Sequence, residues 1–194
     1  MHKRRRRTKE HVLPDEALIR AAARGDPDAF AALAAPRLER LYATATLILH
    51  DRSRAEDAVQ DALVRAWRDL PRLRDPHRID AWFRRLLVNA CRDESRRGRR
   101  HESNIRLMPD HDQPSNDASS AAADRDAIDR GLRRLSVDHR AVIVHQYYLG
   151  LSMPEIADAL DIPVGTAKSR LHHARNALRA AIDPDGQRSK GHVA

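Results

Sequence analysis

The chain contains a single cysteine, Cys91, among its 194 residues, and only 4% of the residues are aromatic. One cysteine excludes an internal disulfide and any zinc site that is built from several thiolates. Because aromatic side chains are scarce, a hydrophobic core has to consist mostly of Leu, Ala, Ile and Val. Cys91 follows Leu87 and Ala90 at helical spacing, which predicts a buried structural thiol.

Long apolar runs and alternating β-branched residues are also lacking. No apolar segment approaches the length of a membrane span, so no membrane insertion is expected. The segments rich in Ala, Leu and Arg contain few of the seven glycines and favour helices. The sequence therefore predicts an all-α protein, and its length fits one medium domain or two small ones.

Positive charge is abundant. The formal net charge is +8 and the sequence pI is about 10.4, which indicates an anionic partner, either nucleic acid or an acidic membrane surface. An arginine-rich genome would give the same composition. The start of the chain, MHKRRRRTKE, is basic, but no apolar segment follows it. It is predicted to be a disordered basic tail over residues 1–13, not a secretory signal, and a cytoplasmic protein is expected.

A first helical block is predicted over residues 14–100. The turn Gly25-Asp26-Pro27 ends its first helix. Further along, Ser53 and Glu56 have the spacing of a capping box, which predicts the start of a helix. The apolar stripe of that helix is predicted to consist of Val59, Leu63, Trp67 and Leu70.

The composition then changes. The stretch HESNIRLMPDHDQPSNDASSAAA is polar and contains Pro and Ser, which predicts a flexible linker over residues 101–123. A second helical block is predicted over residues 124–183, and residues 184–194 are predicted to be a tail.

Two helices separated by a tight turn close the second block. Ser152 and Glu155 have capping-box spacing at the start of the first helix, and Asp161-Ile162-Pro163 forms the turn. The second helix, IPVGTAKSRLHHAR, has one apolar stripe and no carboxylate before Asp183. This is the layout of a helix-turn-helix, whose second helix enters the DNA major groove. An ordinary hairpin with a solvated basic face is the alternative. The candidate DNA contacts are Thr166, Lys168, Ser169, Arg170, His172, His173 and Arg175.

These motifs carry a family resemblance. GLSMPEIADAL and IPVGTAKSRLHHAR resemble region 4 of the extracytoplasmic-function (ECF) sigma factors, a group of the bacterial sigma-70 family. RAEDAVQDALVRAW and WFRRLLVNACRDESRR independently resemble region 2. The resemblance covers most of residues 18–182 in the expected order. It implies two small helical domains and a sigma factor that directs core RNA polymerase to promoters, recognises −35 and −10 elements and assists DNA melting. No catalytic residue, metal or cofactor is implied.

The resemblance also implies which residues read DNA. The helix-turn-helix contacts named above would read the −35 element. The loop over residues 73–80 and the helix that follows resemble the part that reads the −10 element and captures an unstacked base, which needs a pocket and positive charge. Trp82 and Phe83 begin the apolar stripe of that helix and are predicted to be core residues. The −10 candidates are Arg74, His77, Arg78, Arg84, Arg85, Asn89, Arg92, Arg96 and Arg97.

Protein partners follow from the same resemblance. The helix over residues 53–70 resembles the one that docks on the clamp helices of the polymerase β′ subunit, and the β flap is a second expected contact. An anti-sigma protein is also expected, because no inhibitory region 1 is visible. The candidate polymerase-binding residues are Asp57, Gln60, Asp61, Arg65 and Arg68, each of which could instead belong to an ordinary salt-bridged helix face. In the linker, Asp110, Asp112 and Asp117 either mimic nucleic acid or belong to a passive tether.

Two residues depart from the pattern of the family, and three other classes of protein were considered. Ser136 stands where the family often has Pro, although Ser is itself a helix cap. His173 stands where Arg is common and carries less charge.

An enzyme is disfavoured because the histidines lack metal-ligand spacing and no Gly-rich phosphate loop is present. An autonomous helix-turn-helix regulator would leave the first block unexplained. A helical interaction protein without DNA binding conflicts with the basic helix.

Overall fold

The structure is a computed structural model and describes residues 15–104 and 120–182. Within these ranges it contains helices and no strand, so the prediction of an all-α protein is confirmed. The predicted tails and the three linker aspartates lie outside the described residues. The helices are α1 (Asp15–Ala22), α2 (Pro27–Leu49), α3 (Arg52–Asp69), α4 (Ile79–Asn104), α5 (Ser120–Arg133), α6 (Val137–Ile143), α7 (Met153–Leu160) and α8 (Val164–Ile182). Two 3-10 turns, Leu70–Arg72 and Pro76–Arg78, join α3 to α4, and a π-helical turn, Val144–Tyr148, follows α6.

Helix α3 begins two residues earlier than the predicted capping box requires. Its N-cap is Asp51, whose carboxylate accepts a hydrogen bond from the Arg54 N–H at 3.0 Å. The predicted Ser53–Glu56 box is therefore wrong. His50 ends α2 in the left-handed conformation, with φ of 55°, so Asp51 is the first residue after α2 that can cap a new helix, and it does so before Ser53 is reached.

The buried face of α3 is made of small side chains. Ala55, Ala58, Ala62 and Ala66 are each 0–1% exposed and bring α3 close to α4. The prediction of Trp67 as a core residue is wrong, because it is 38% exposed. A face that packs on alanines leaves no space for an indole, and Trp67 instead lies at the edge, with its ring 5.2 Å from that of Phe30.

The helix-turn-helix forms as predicted. Both the N–H and the hydroxyl of Ser152 donate to the Glu155 carboxylate, at 2.8 Å and 2.6 Å, and begin α7. Asp161 takes the left-handed conformation at the C-cap and turns the chain into α8. The apolar stripe of α8 faces inward: Ala167 and Ala174 are fully buried, and α8 packs on α5 and α6. Ser136 caps α6 through the His139 N–H.

The two helical units pack on each other through one seam. Helices α6 and α7 lie against α4, while α6 and the π-helical turn lie against α2. Buried residues of both units belong to one apolar cluster, which includes Phe83, Val88, Val142 and Ile156. Helix α4 continues to Asn104 and α5 begins at Ser120, so helical residues lie within both ends of the predicted 101–123 linker.

Cys91 and His145 are two titratable side chains that are fully buried in this interior. Cys91 is fully buried, and burial raises the pKa of its thiol to about 12, so the predicted structural thiol is confirmed. His145 lies in the π-helical turn and is also fully buried. Its Nδ1 lies 2.7 Å from the Ala141 carbonyl oxygen. Burial, together with the positive charges of Arg84 and Arg92, lowers the pKa of His145 to about 4.

This histidine makes folding sensitive to acid. In the unfolded chain its pKa is near 6.5, so the folded state binds fewer protons and loses stability as the pH falls from 6.5 toward 4. Between pH 7 and pH 5 we expect His145 to cost about 2 kcal/mol of unfolding free energy. His145→Leu should remove that part of the loss, which urea denaturation at pH 7 and at pH 5 measures. Equal pH dependence in the parental and His145→Leu proteins would refute the assignment.

Candidate nucleic-acid and polymerase interface

The outer face of α8 is a cationic surface. Most of the predicted −35 residues are exposed on it: Lys168, Ser169, His172, His173 and Arg175. Thr166 is half-buried, and its carbonyl oxygen accepts a hydrogen bond from the Ser169 hydroxyl at 3.0 Å. Among the residues that the structure describes, neither Lys168 nor Arg175 has a carboxylate partner. Both charges are therefore available to DNA phosphates.

Arg170 is placed differently from its neighbours. It is half-buried, and its Nη1 lies 3.4 Å from the Asp138 carboxylate of α6 without forming a hydrogen bond. Two polar neighbours of the outer face of α8 were not among the predicted site residues. Asn176 donates to His172 Nε2 at 2.9 Å, and His139 lies beside His173 with ring centroids 6.4 Å apart. The spacing of four residues between His172 and Asn176 was a readable helical signal.

A cavity of about 500 Å³ lies where the predicted −10 loop meets α4. Trp82 is half-buried beside Phe83, as predicted for the core, but it also lines this cavity. Phe83 is 1% exposed. A pocket with an aromatic wall and guanidinium groups at its rim suits a base taken out of a DNA stack. The lining residues are Asp69, Arg72, Leu73, Arg74, Asp75, Arg78, Ala81, Trp82, Arg85, Leu86, Asn89 and Asp158.

The other −10 candidates lie away from this cavity. Arg92 is on the next turns of α4, where it donates to Asn89 at 3.0 Å. Arg96 and Arg97 pair with acidic residues one turn earlier, Asp93 and Glu94. Exposed His77 lies 3.7 Å from Glu16 of α1. Arg84 lines a second cavity, of about 420 Å³, and its buried Nε has no partner. Burial lowers the pKa of Arg84, and Arg40 adds to that effect.

The predicted polymerase-binding residues divide into two groups on α3. Asp57, Gln60 and Arg68 are exposed. Asp61 and Arg65 are half-buried and form a bridge, because Arg65 Nη2 donates to Asp61 at 2.6 Å and to Asp93 of α4 at 2.7 Å. Burial works against the charge of Arg65, but the two carboxylates raise its pKa.

Helix α3 also exposes an apolar residue that was not among the predicted site residues. Val64 is 64% exposed and lies on the same helical face as Gln60, Asp61 and Arg68. Its spacing of three and four residues from these polar candidates was the available signal. An exposed apolar side chain inside a polar rim is typical of a protein interface.

Comparison with known proteins shows which family of proteins this chain resembles. Family models match residues 33–101, as Sigma-70 region 2, and residues 125–178, as Sigma-70, region 4. The ECF RNA polymerase sigma factor SigL of Mycobacterium tuberculosis is 38% identical over 151 residues, which cover 75% of this chain and 84% of SigL. SigW of Bacillus subtilis, another ECF sigma factor, is 28% identical and covers 84% of this chain, with 94% of SigW aligned.

Solved structures give the same result. CnrH in complex with the cytosolic domain of CnrY matches with a TM-score of 0.60 and 28% identity, covering 88% of this chain and 98% of CnrH. The sigma factor RpoE in complex with the anti-sigma factor NepR from Bartonella quintana matches with a TM-score of 0.57 and 26% identity, covering 78% of this chain and 95% of RpoE.

The chain belongs to the ECF group of the sigma-70 family. It is a non-catalytic transcription initiation factor, and the prediction of a sigma factor with regions 2 and 4 is confirmed. Within the described ranges, no three His, Cys, Asp or Glu side chains are arranged to hold a metal ion, and no helix is long and apolar enough to cross a bilayer.

A matched pair of substitutions tests how much the Arg65 bridge on α3 contributes to the stability of the fold. Arg65→Met leaves Asp61 and Asp93 half-buried without their common partner, and we expect a loss of about 1–2 kcal/mol in unfolding free energy. Arg68→Met removes only an exposed pair with Asp69 and should leave stability unchanged. Urea denaturation of both variants measures the difference. Equal midpoints would show that the bridge contributes nothing to the fold.

Proposed function

We propose that this sigma factor reads the −35 element with the exposed face of α8. The observation that carries this proposal is the row of exposed cations on the second helix of a helix-turn-helix. Lys168 lies in the second turn of α8, where a recognition helix approaches base edges, and Arg175 lies farther along the helix, where phosphates are the expected contact. His173 supplies a hydrogen-bonding group with less charge than an arginine.

The cavity beside the 73–80 loop is the proposed site for an unstacked base of the −10 element. Arg74, Arg78 and Arg85 provide positive charge around it, and Trp82 provides an aromatic wall. Asn89 offers hydrogen bonds to a base edge. Arg92, Arg96 and Arg97 continue along α4 and are proposed to follow the DNA backbone, while half-buried Arg84 is a weaker candidate.

Core RNA polymerase is the proposed protein partner in the cytoplasm, through the β′ clamp helices and the β flap. On α3, the exposed group Asp57, Gln60, Val64 and Arg68 forms the proposed docking face, and Asp61 and Arg65 support it from beneath. An anti-sigma protein is a further proposed partner. The support for it is that both matched structures, CnrH and RpoE, are complexes with a second protein, which is an anti-sigma factor in the case of RpoE.

Run-off transcription tests the proposed docking face. Purified core polymerase is combined with the protein and a pooled fragment library from the host genome, and discrete new start sites are expected. Asp57→Lys should reduce their yield by at least about fivefold, because it reverses charge in the proposed interface. Glu39→Lys, at an exposed acidic residue of α2, is the matched control and should transcribe normally. New starts that survive Asp57→Lys would contradict the docking face, and specific duplex binding without any starts would favour an autonomous regulator.

The −35 assignment is tested on the promoters found in that experiment. Lys168→Ala and Arg175→Ala should each weaken holoenzyme binding to the promoter about 5- to 10-fold. Arg179→Ala removes the same charge from the last part of α8 and serves as the control. Binding is measured at two salt concentrations, and each phosphate contact that is lost should flatten the salt dependence. Equal losses in all three variants would indicate a nonspecific charge effect and not recognition.

A further inference from the structure

The second cavity, of about 420 Å³, lies between α2 and α4, and Leu149 after the π-helical turn also lines it. On α4 it is lined by Phe83 and Arg84. At about 100° per residue, these two side chains lie on a different face of the helix from Trp82 and Asn89, which line the cavity of the proposed −10 site. The second cavity is therefore a separate feature of the molecule.

Both carboxylates in the wall of the second cavity are bound by one arginine. Arg37 Nη2 donates to Asp15 at 2.5 Å, and Arg37 Nε donates to Asp80 at 2.7 Å. The third nitrogen, Nη1, donates to the Leu33 carbonyl oxygen at 2.7 Å. Within the described ranges, Asp15 and Asp80 pair with no other cation. Arg37 and the two carboxylates therefore satisfy one another.

The two remaining arginines of the cavity have no carboxylate partner among the residues that the structure describes. Arg40 makes one long hydrogen bond, in which Nη2 donates to the Leu149 carbonyl oxygen at 3.5 Å. Arg84 is half-buried, and its Nε is buried without a hydrogen-bond partner. A half-buried charge without a partner is unfavourable until an opposite charge reaches it.

The guanidinium groups of Arg40 and Arg84 are close enough to influence each other. Burial lowers the pKa of Arg84, and the positive charge of Arg40 contributes to the same effect. Like charges at one site repel, and an anion that lies between them removes the repulsion. Carboxylate and phosphate groups accept hydrogen bonds from guanidinium groups in the paired geometry that arginine favours. The cavity therefore presents two arginines to one anionic group.

Apolar side chains form much of the rest of the wall. Leu41, Phe83 and Leu149 are buried, and they line the cavity together with Pro36. Sites for small molecules have volumes of this order and combine apolar walls with a few polar groups that fix orientation. The backbone of a DNA strand would supply phosphates but no apolar group for these walls. The lining thus favours a compact organic anion.

We propose that this cavity binds a small organic anion, whose carboxylate or phosphate lies between Arg40 and Arg84 and whose apolar body contacts Leu41, Phe83 and Leu149. The site is additional to promoter recognition and does not depend on the proposed −10 site, because the two cavities share no lining residue. Arg84 is then a ligand-binding residue and not a contact to the −10 element.

A fluorescent aromatic anion, anilinonaphthalene sulfonate (ANS), tests the site on the full chain. ANS has about 21 non-hydrogen atoms, and a Kd of about 10–100 µM is expected for a ligand of that size. Arg40→Met and Arg84→Met should each weaken binding about tenfold, because each removes a charged hydrogen-bond donor. Arg52→Met, at an exposed position of α3 outside the cavity, is the matched control and should bind ANS normally. Because Arg40 is exposed, Arg40→Met remains informative if Arg84→Met disturbs the packing.

Two further measurements separate the role of the charge from that of the apolar wall. Phenylnaphthylamine has the aromatic body of ANS without the sulfonate, and its binding should not respond to Arg84→Met. Arg84→Lys keeps the charge but not the paired donors, so it should recover part of the affinity for ANS. Binding of ANS that ignores both methionine substitutions, or that falls equally in Arg52→Met, would overturn the proposal.

Competition with ANS shows which anionic group the cavity accepts. Naphthoate offers a carboxylate, and adenosine monophosphate offers a phosphate, each on an aromatic body. Displacement of ANS by one or both compounds supports the proposal and distinguishes the two sources of negative charge. Displacement by neither compound would overturn it. Displacement only by a pool of random single DNA strands would also overturn it, and would assign Arg40 and Arg84 to nucleic acid.

Discussion

Helix α4 packs against α2 and α3 on one side and against α6 and α7 on another. Four of its residues, Leu87, Val88, Ala90 and Cys91, are fully buried, and at 100° per residue they span an arc of about 160°. A helix that covers a core on one side needs an apolar stripe of about 100°. The wide buried arc of α4 leaves only a narrow part of the helix surface for its arginines. Those side chains therefore lie close to the residues along the seam.

The positive charge of the chain is therefore divided among different tasks. Arg65 joins α3 to α4 through Asp61 and Asp93, and Arg37 joins α1 to α4 through Asp15 and Asp80. A second group of arginines pairs across the seam between the two units. The outer face of α8 presents Lys168 and Arg175, which have no carboxylate partner in the described part of the chain. A net charge of +8 indicates an anionic partner, but the fold decides which cations can reach it.

The sequence patterns predicted those features that depend on contacts between residues close together in the chain. The Ser152–Glu155 box, the turn at Asp161 and the stripe of α8 each involve residues a few positions apart, and all three form as predicted. The errors at Ser53 and Trp67 arose where a neighbouring helix, and not the local spacing, decides the outcome. The end of α2 sets which residue caps α3, and the packing of α3 on α4 sets which of its residues are buried. The seam pairs were not predictable in this way, because Arg85 and Asp161 are 76 residues apart and Arg92 and Asp138 are 46 apart. No periodicity connects such positions, and only the packed structure brings them together.

Asp138 links the two proposed DNA-reading surfaces. It accepts a hydrogen bond from Arg92 of the −10 set and lies 3.4 Å from Arg170 of the recognition helix. A strongly basic chain binds DNA of any sequence through its phosphates, and such binding competes with promoter recognition. The pair between Arg92 and Asp138 neutralises part of that positive charge within the fold.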